Sequence, residues 1–177
     1  MLRRGITMKK PSLATKAKKI KLLLLDVDGV MTDGTIILDS RGNETKAFHV
    51  RDGHGIKIAQ RAGIAVGIIT GRSSEVVNIR ARELGIREVH QGAHDKLAVY
   101  DLLVSKYGLR DEEIAYIGDD IVDVPIFDRV GLAAAVADAD PSVKPHVDVI
   151  TRAAGGRGAV REVIALILKN RVRPVAS

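Results

Sequence analysis

The 177-residue chain contains no cysteine, no tryptophan and only 3% aromatic residues. Without thiols it can form no disulfide, thiolate metal site or cysteine nucleophile. With so few rings it has little on which nucleic-acid bases could stack. Long hydrophobic runs are missing too: Leu22–Leu25 ends at once in acids, and no stretch approaches the ~20 residues of a membrane helix. An excess of charge on the body is the last absence. The formal net charge is +6, yet eight of the 28 Lys and Arg fall in Met1–Lys21, which has no acid, leaving 20 against 22 Asp and Glu. A nucleic-acid binder carries its basic patch on the folded body. The expectation is a soluble, cytoplasmic protein with neither nucleic acid nor membrane as partner. Residues 1–20 read as a solvated, poorly ordered extension, with a transit peptide as the alternative, and residues 171–177 as a fraying tail.

The chain is long enough for one domain with a proper core. Its organising stretch is Lys21-Leu-Leu-Leu-Leu-Asp26-Val-Asp28-Gly29. An apolar run of this kind fits a strand buried on both faces of a parallel sheet, and its carboxyl end is the edge where open α/β sheets bind ligands. Strand alternation would place Asp26 and Asp28 on one side, tolerable with a cation between them, and hard oxygen ligands suit Mg²⁺.

Gly34–Val50 gives two β-prone runs around Asp39-Ser-Arg-Gly-Asn43, a hairpin expected to project from the active edge as a flap. Arg51-Asp-Gly-His-Gly55 reads as punctuation before a helix over 56–62. Ile64–Ile69 is a second buried strand ending in Thr70-Gly71-Arg72, followed by a helix over 73–84 capped by Ser73 or Ser74 and closed by Gly85. That helix start suits a phosphate. Lys96 opens another helix. Ile114–Gly118 repeats the opening device, an apolar run ending in Asp119, Asp120 and Asp123. Strand and helix alternate throughout, so the expected fold is a doubly wound, Rossmann-like α/β domain over residues 21–170 with a small hairpin flap.

These strand ends permit phosphoryl transfer. An ionised carboxylate is a competent nucleophile toward phosphorus once the phosphoryl charge is neutralised. Mg²⁺ held by Asp26, Asp119 and the backbone carbonyl of Asp28 would do that, with Thr70 and Lys96 on the remaining oxygens and the Asp28 carboxyl moving protons.

Asp-Val-Asp-Gly-Val-Met-Thr-Asp-Gly, Ile-Ile-Thr-Gly-Arg, the Lys96 segment and Gly-Asp-Asp-Ile-Val-Asp, in this order, resemble the four motifs of the haloacid dehalogenase-like phosphatases. His-Val-Arg-Asp-Gly-His-Gly-Ile, Gln-Gly-x-x-Asp-Lys and Gly-Gly-Arg-Gly-Ala-Val-Arg-Glu are similar to segments of the 3-deoxy-D-manno-octulosonate (KDO) 8-phosphate phosphatases, over about Lys21–Lys169. The resemblance implies Asp26 as nucleophile, Asp28 as general acid and base, Thr70 and Lys96 as phosphate ligands and Asp119 as a Mg²⁺ ligand, with Asp120 and Asp123 close behind the metal. It also implies a capless subgroup forming homotetramers through the hairpins. The substrate would be a phosphorylated sugar acid of lipopolysaccharide precursor synthesis. Arg72 and the adjoining Gly71 resemble the eight-carbon enzymes, whereas sister phosphatases of nine-carbon sugar acids tend to carry Glu at the Arg72 position. Arg80 matches a position used across the subunit boundary in the sister enzymes, and Arg157 and Arg161, read first as structural or helix-surface residues, are the alternative candidates for donation near a neighbour's site. Readings from other classes are a phosphoacceptor signalling domain and a catalytically idle sugar-binding domain. Asp123 as a simple helix cap and Arg80 as a plain helix-surface residue are the unadorned alternatives.

Overall fold

The computed structural model describes residues 11–171. Six parallel strands form the sheet: β1 (Leu22–Leu25), β4 (Ala65–Ile69), β5 (Glu88–His90), β6 (Ile114–Gly118), β7 (Leu132–Ala135) and β8 (Val149–Ile150), in spatial order β5-β4-β1-β6-β7-β8. A separate hairpin of β2 (Ile37–Leu38) and β3 (Glu44–Thr45) follows β1. The expected doubly wound α/β fold with a small flap is the one observed. Strand order runs outward in opposite directions from β1 and β6, so their carboxyl ends flank the switch point at which such sheets bind ligands.

Alternation along β1 divides the core. Leu23 and Leu25 face one apolar cluster and Leu22 and Leu24 the other, all four fully buried. The first cluster is covered by α1 (Leu13–Lys19), α2 (Val50–Arg61), α3 (Glu75–Leu84) and α6 (Ala159–Arg171). The second is covered by α4 (Lys96–Tyr107) and the single turn α5 (Val124–Phe127). Burial on both faces explains the unbroken apolar runs of β1 and β6.

Two expectations need correction. Residues 13–19 are a helix docked on the domain rather than a solvated extension: Ser12 caps it by accepting from the Thr15 N–H, and Ala17 and Ile20 are fully buried. Two of its three lysines pair with acids of the body, Lys16 with Asp148 and Lys19 with Glu112, which is why a charge run was a poor guide to order here. The rest of the proposed extension, residues 1–10, and the tail beyond Arg171 lie outside the described residues.

The second concerns α2, which begins at Val50 and carries Gly53 and Gly55 inside it. Glycine within a helix costs about 1 kcal/mol against alanine. Tertiary packing overrides that here: a Cβ on Gly53 would collide with the Arg80 guanidinium, and one on Gly55 would press on Arg161 and Ile164 of α6. The glycines admit neighbours rather than break the helix.

Candidate active site

β1 ends at Leu25 and the chain turns at once, with the Val27 carbonyl accepting from the N–H groups of Val30, Met31 and Thr32. Strand alternation therefore stops before Asp28, and the two acids part company. Asp26 lies inward: its Oδ2 is 2.8 Å from Lys96 Nζ, and its Oδ1 accepts from the Val27 N–H at 2.7 Å. Asp28 turns toward the hairpin, where its Oδ1 accepts from Lys46 Nζ. A cation bridging both carboxylates, as alternation suggested, is not the arrangement the turn produces.

The partners of Asp26 come from β6 instead. Carboxylate oxygens of Asp26, Asp119 and Asp123 lie within 4.8 Å of one another. Asp26 is buried, so is Asp123, and Asp119 is half-buried. The approach is close enough that a Cβ on Gly29, whose φ is +87°, would overlap the Asp119 carboxylate. Gly29 thus serves both the turn and the contact.

Asp123 stands directly behind Asp26 and Asp119 and also caps the turn that follows β6, accepting from the Asp120 N–H. Its Oδ1 accepts from Lys96 Nζ at 2.7 Å and from the Tyr116 hydroxyl at 2.6 Å, and its Oδ2 from the N–H groups of Asp119 and Asp120 at 2.9 and 3.2 Å. With both oxygens occupied by protein donors, it braces Lys96 and the Asp119 loop. Asp120 is exposed and caps its own turn through the Ile121 N–H.

Burial, and to a lesser degree the neighbouring Asp123, pushes Asp26 up to about 6 despite Lys96. Burial, then Asp26 and Asp123, pushes Asp119 up to about 7. Buried Asp26 and half-buried Asp119 repel one another, and Asp119 has no basic partner among the described residues; by their donor chemistry they fit a hard divalent cation.

Thr70 is buried one residue beyond β4, on the same edge as Asp26. Its backbone is pinned by His90 and Ala93. Gly71 continues the loop, and Arg72, 40% exposed, bonds Glu44 of β3 at 2.8 Å. The α3 start is less open than its sequence suggests. Ser74 makes no side-chain cap bond, and its N–H is taken by Gln91 Oε1 at 2.7 Å. Arg80 is not brought to the acids: it bonds Glu83 at 2.7 Å, lies over the Phe48 ring and packs at Gly53. Arg157 reaches Asp33 at 3.3 Å, and the Arg161 N–H donates to Asp52 at 2.7 Å.

Known proteins carry the same frame. Residues 74–164 match the family model of haloacid dehalogenase-like hydrolases. A 3-deoxy-D-manno-octulosonate 8-phosphate phosphatase of Salmonella typhimurium is 49% identical over 89% of this chain and 84% of its own length. The chain belongs to this family of haloacid dehalogenase-like hydrolases. Among solved members, the Yersinia pestis phosphatase superposes with a TM-score of 0.89 at 48% identity, covering 90% of this chain and 86% of that one. The Moraxella catarrhalis phosphatase, solved in complex with magnesium, phosphate and KDO, gives 0.88 at 46%, covering 90% and 91%.

Sequence reading overlooked three residues that this member of the family places around the acids: Glu44, Lys46 and Tyr116. Glu44 lies in β3 and Lys46 just after it, two residues apart, a spacing that puts both on one face. Tyr116 looked like one more apolar strand residue, and nothing local betrayed its bond to Asp123.

The raised carboxylates carry a pH prediction. Asp26 and Asp119 hold protons in the folded, metal-free chain that an ordinary carboxyl releases near 3.8. Their contribution to stability is therefore present below about pH 4 and lost as pH rises through about 6 to 7. A divalent cation needs both ionised, so it offsets that loss. Thermal melts in EDTA and in excess Mg²⁺ should show a stabilisation by Mg²⁺ that is several-fold larger at about pH 8 than at about pH 6. A Mg²⁺ effect independent of pH would contradict the assignment of these two acids.

Proposed function

We propose that the protein is a Mg²⁺-dependent phosphomonoesterase that hydrolyses KDO 8-phosphate to KDO and phosphate, in lipopolysaccharide precursor synthesis, through an aspartyl-phosphate on Asp26. The observation that carries this is the separation of the two acids: Asp26 is clamped by Lys96 beside Asp119, while Asp28 is held apart by Lys46. That separation supports a reading in which one carboxylate attacks and the other moves protons.

Asp26, Asp119 and the Asp28 carbonyl would hold Mg²⁺, which neutralises phosphoryl charge as the nucleophile approaches. Lys96 orients Asp26 and, with the Thr70 hydroxyl, binds phosphoryl oxygens. The Asp26 carboxylate attacks phosphorus while Asp28 protonates the departing sugar oxygen. Asp28 then takes a proton from water, whose oxygen attacks the same phosphorus and releases phosphate and free Asp26.

Arg72 would receive the substrate carboxylate, an ion that a guanidinium binds in a two-pronged grip. The expected assembly is a homotetramer built on the hairpins, supported by the exposed Ile36, Ile37 and Leu38, with Val50 and Ile79 giving further exposed apolar surface. A neighbour's Arg80 would then help complete each site. Among the described residues no helix is long and apolar enough to cross a membrane, which fits a cytoplasmic enzyme.

Phosphate release should be measured with KDO 8-phosphate and with a nine-carbon keto-sugar acid 9-phosphate, in Mg²⁺ and in EDTA. The eight-carbon substrate should be preferred, and only with Mg²⁺. Arg72→Glu should lower kcat/KM for it by roughly 10- to 100-fold, with far less effect on an ester lacking a carboxylate. Equal losses on both, or a wild-type preference for the nine-carbon substrate, would overturn the substrate assignment.

A further inference from the structure

Lys46 is the least expected residue near the acids. It stands just after β3, and its side chain is only 1% exposed. Burying an ammonium is costly unless it is paired. Its partners are Asp28 and, at 3.3 Å, Glu44 Oε1. The same Glu44 oxygen accepts from Arg72 at 2.8 Å. A chain of alternating charge thus runs Asp28, Lys46, Glu44, Arg72, from the turn after β1 through the hairpin to the loop after β4. Lys46 and Arg72 both lie beside the Glu44 carboxyl, which is held below its ordinary range.

We propose that Lys46 is a positioning residue for Asp28: by holding Oδ1 against the hairpin it directs Oδ2 at the departing oxygen, and Glu44 keeps Lys46 in place. The inference rests on the reading of Asp28 as proton donor and acceptor. Its physical basis is that a carboxyl on a turn has two rotatable bonds and no strand to fix it, whereas general-acid catalysis needs its proton within hydrogen-bond reach of one atom. The hairpin consequently acts within its own chain, not only as a surface for a neighbour. It is the mount of the acid that protonates the leaving group. Arg72 shares Glu44, so a substrate carboxylate that takes over Arg72 leaves Glu44 wholly to Lys46.

The leaving group supplies the test. A sugar alkoxide needs a proton to depart; p-nitrophenolate does not. Lys46→Met should lower kcat on KDO 8-phosphate by roughly 100-fold, the size of a misplaced general acid. In the first turnover, which releases the alcohol before water attacks, the rate on p-nitrophenyl phosphate should fall several-fold at most, and KM for the sugar phosphate should change little. Lys46→Arg, which keeps a charge in reach of Asp28, should recover most of the activity. If Lys46→Met does not fold, Glu44→Gln carries the test, with a smaller loss that again falls mainly on the sugar phosphate. Equal losses of the first-turnover rate on the two esters, or none, would overturn the proposal. Wild-type turnover reports separately on the substrate. If the protein ignores KDO 8-phosphate but cleaves another alkyl phosphate, the substrate reading fails and the Lys46 comparison is made with that ester.

Discussion

Asp26→Asn should abolish phosphate release, by on the order of 10⁴-fold or more, the scale seen when a covalent nucleophile is removed. Asparagine matches aspartate in size, so the effect is chemical rather than steric. The fold should survive, because Lys96 keeps its bond to Asp123 at 2.7 Å, and the exchange removes a carboxylate that burial already disfavours in charged form. Circular dichroism should therefore match the wild type while phosphate release disappears. Turnover within tenfold of wild type would show that the nucleophile lies elsewhere and would return the phosphoacceptor and sugar-binding readings to consideration.

Removing Lys96 should damage both stability and activity. Its ammonium, 6% exposed, lies 2.8 Å from Asp26 and 2.7 Å from Asp123. Burial alone would lower its pKa, but Asp26 and Asp123 more than offset that and raise it. Lys96→Met leaves those carboxylates buried without their cation, a loss of about 3–5 kcal/mol in the metal-free protein. Asp26 and Asp119 are pushed up to about 6 and about 7, so the loss should shrink as pH falls below about 6 and they take protons. Denaturant titrations of the two proteins in EDTA at two pH values measure this. A difference below about 1 kcal/mol at neutral pH would mean that the lysine is not the principal counter-charge. Turnover should fall by roughly 10²- to 10³-fold, as when a preorganised donor to a developing charge is lost.

The parts of this architecture that the sequence made legible share one property: each follows from neighbours within a few residues. Four leucines before Asp26 and the Ile114–Gly118 run before Asp119 have no polar residue to face solvent, so they had to be strands buried on both sides, and their acids had to emerge at one edge. Where local logic misled, a distant contact had overruled it. Gly53 and Gly55 looked like breakers until Arg80 and α6 were seen to occupy the space their missing side chains leave. The lysines of α1 looked like a solvated run until Asp148 and Glu112 were found opposite two of them.

By itself, then, the order of residues determined that Asp26, Asp28, Thr70, Lys96 and Asp119 belong to one face of one α/β domain, because strand burial and connection length constrain where chain ends can lie. Only the tertiary structure decided which charge meets which. Asp26 pairs with Lys96, Asp28 with Lys46, and Asp123 turns inward to Tyr116. Such pairings depend on side chains converging from separate elements, at distances set by the turn after Leu25 and the packing of β6 beside β1. Electrostatic energy varies steeply over those few ångströms, and no spacing along the chain encodes them.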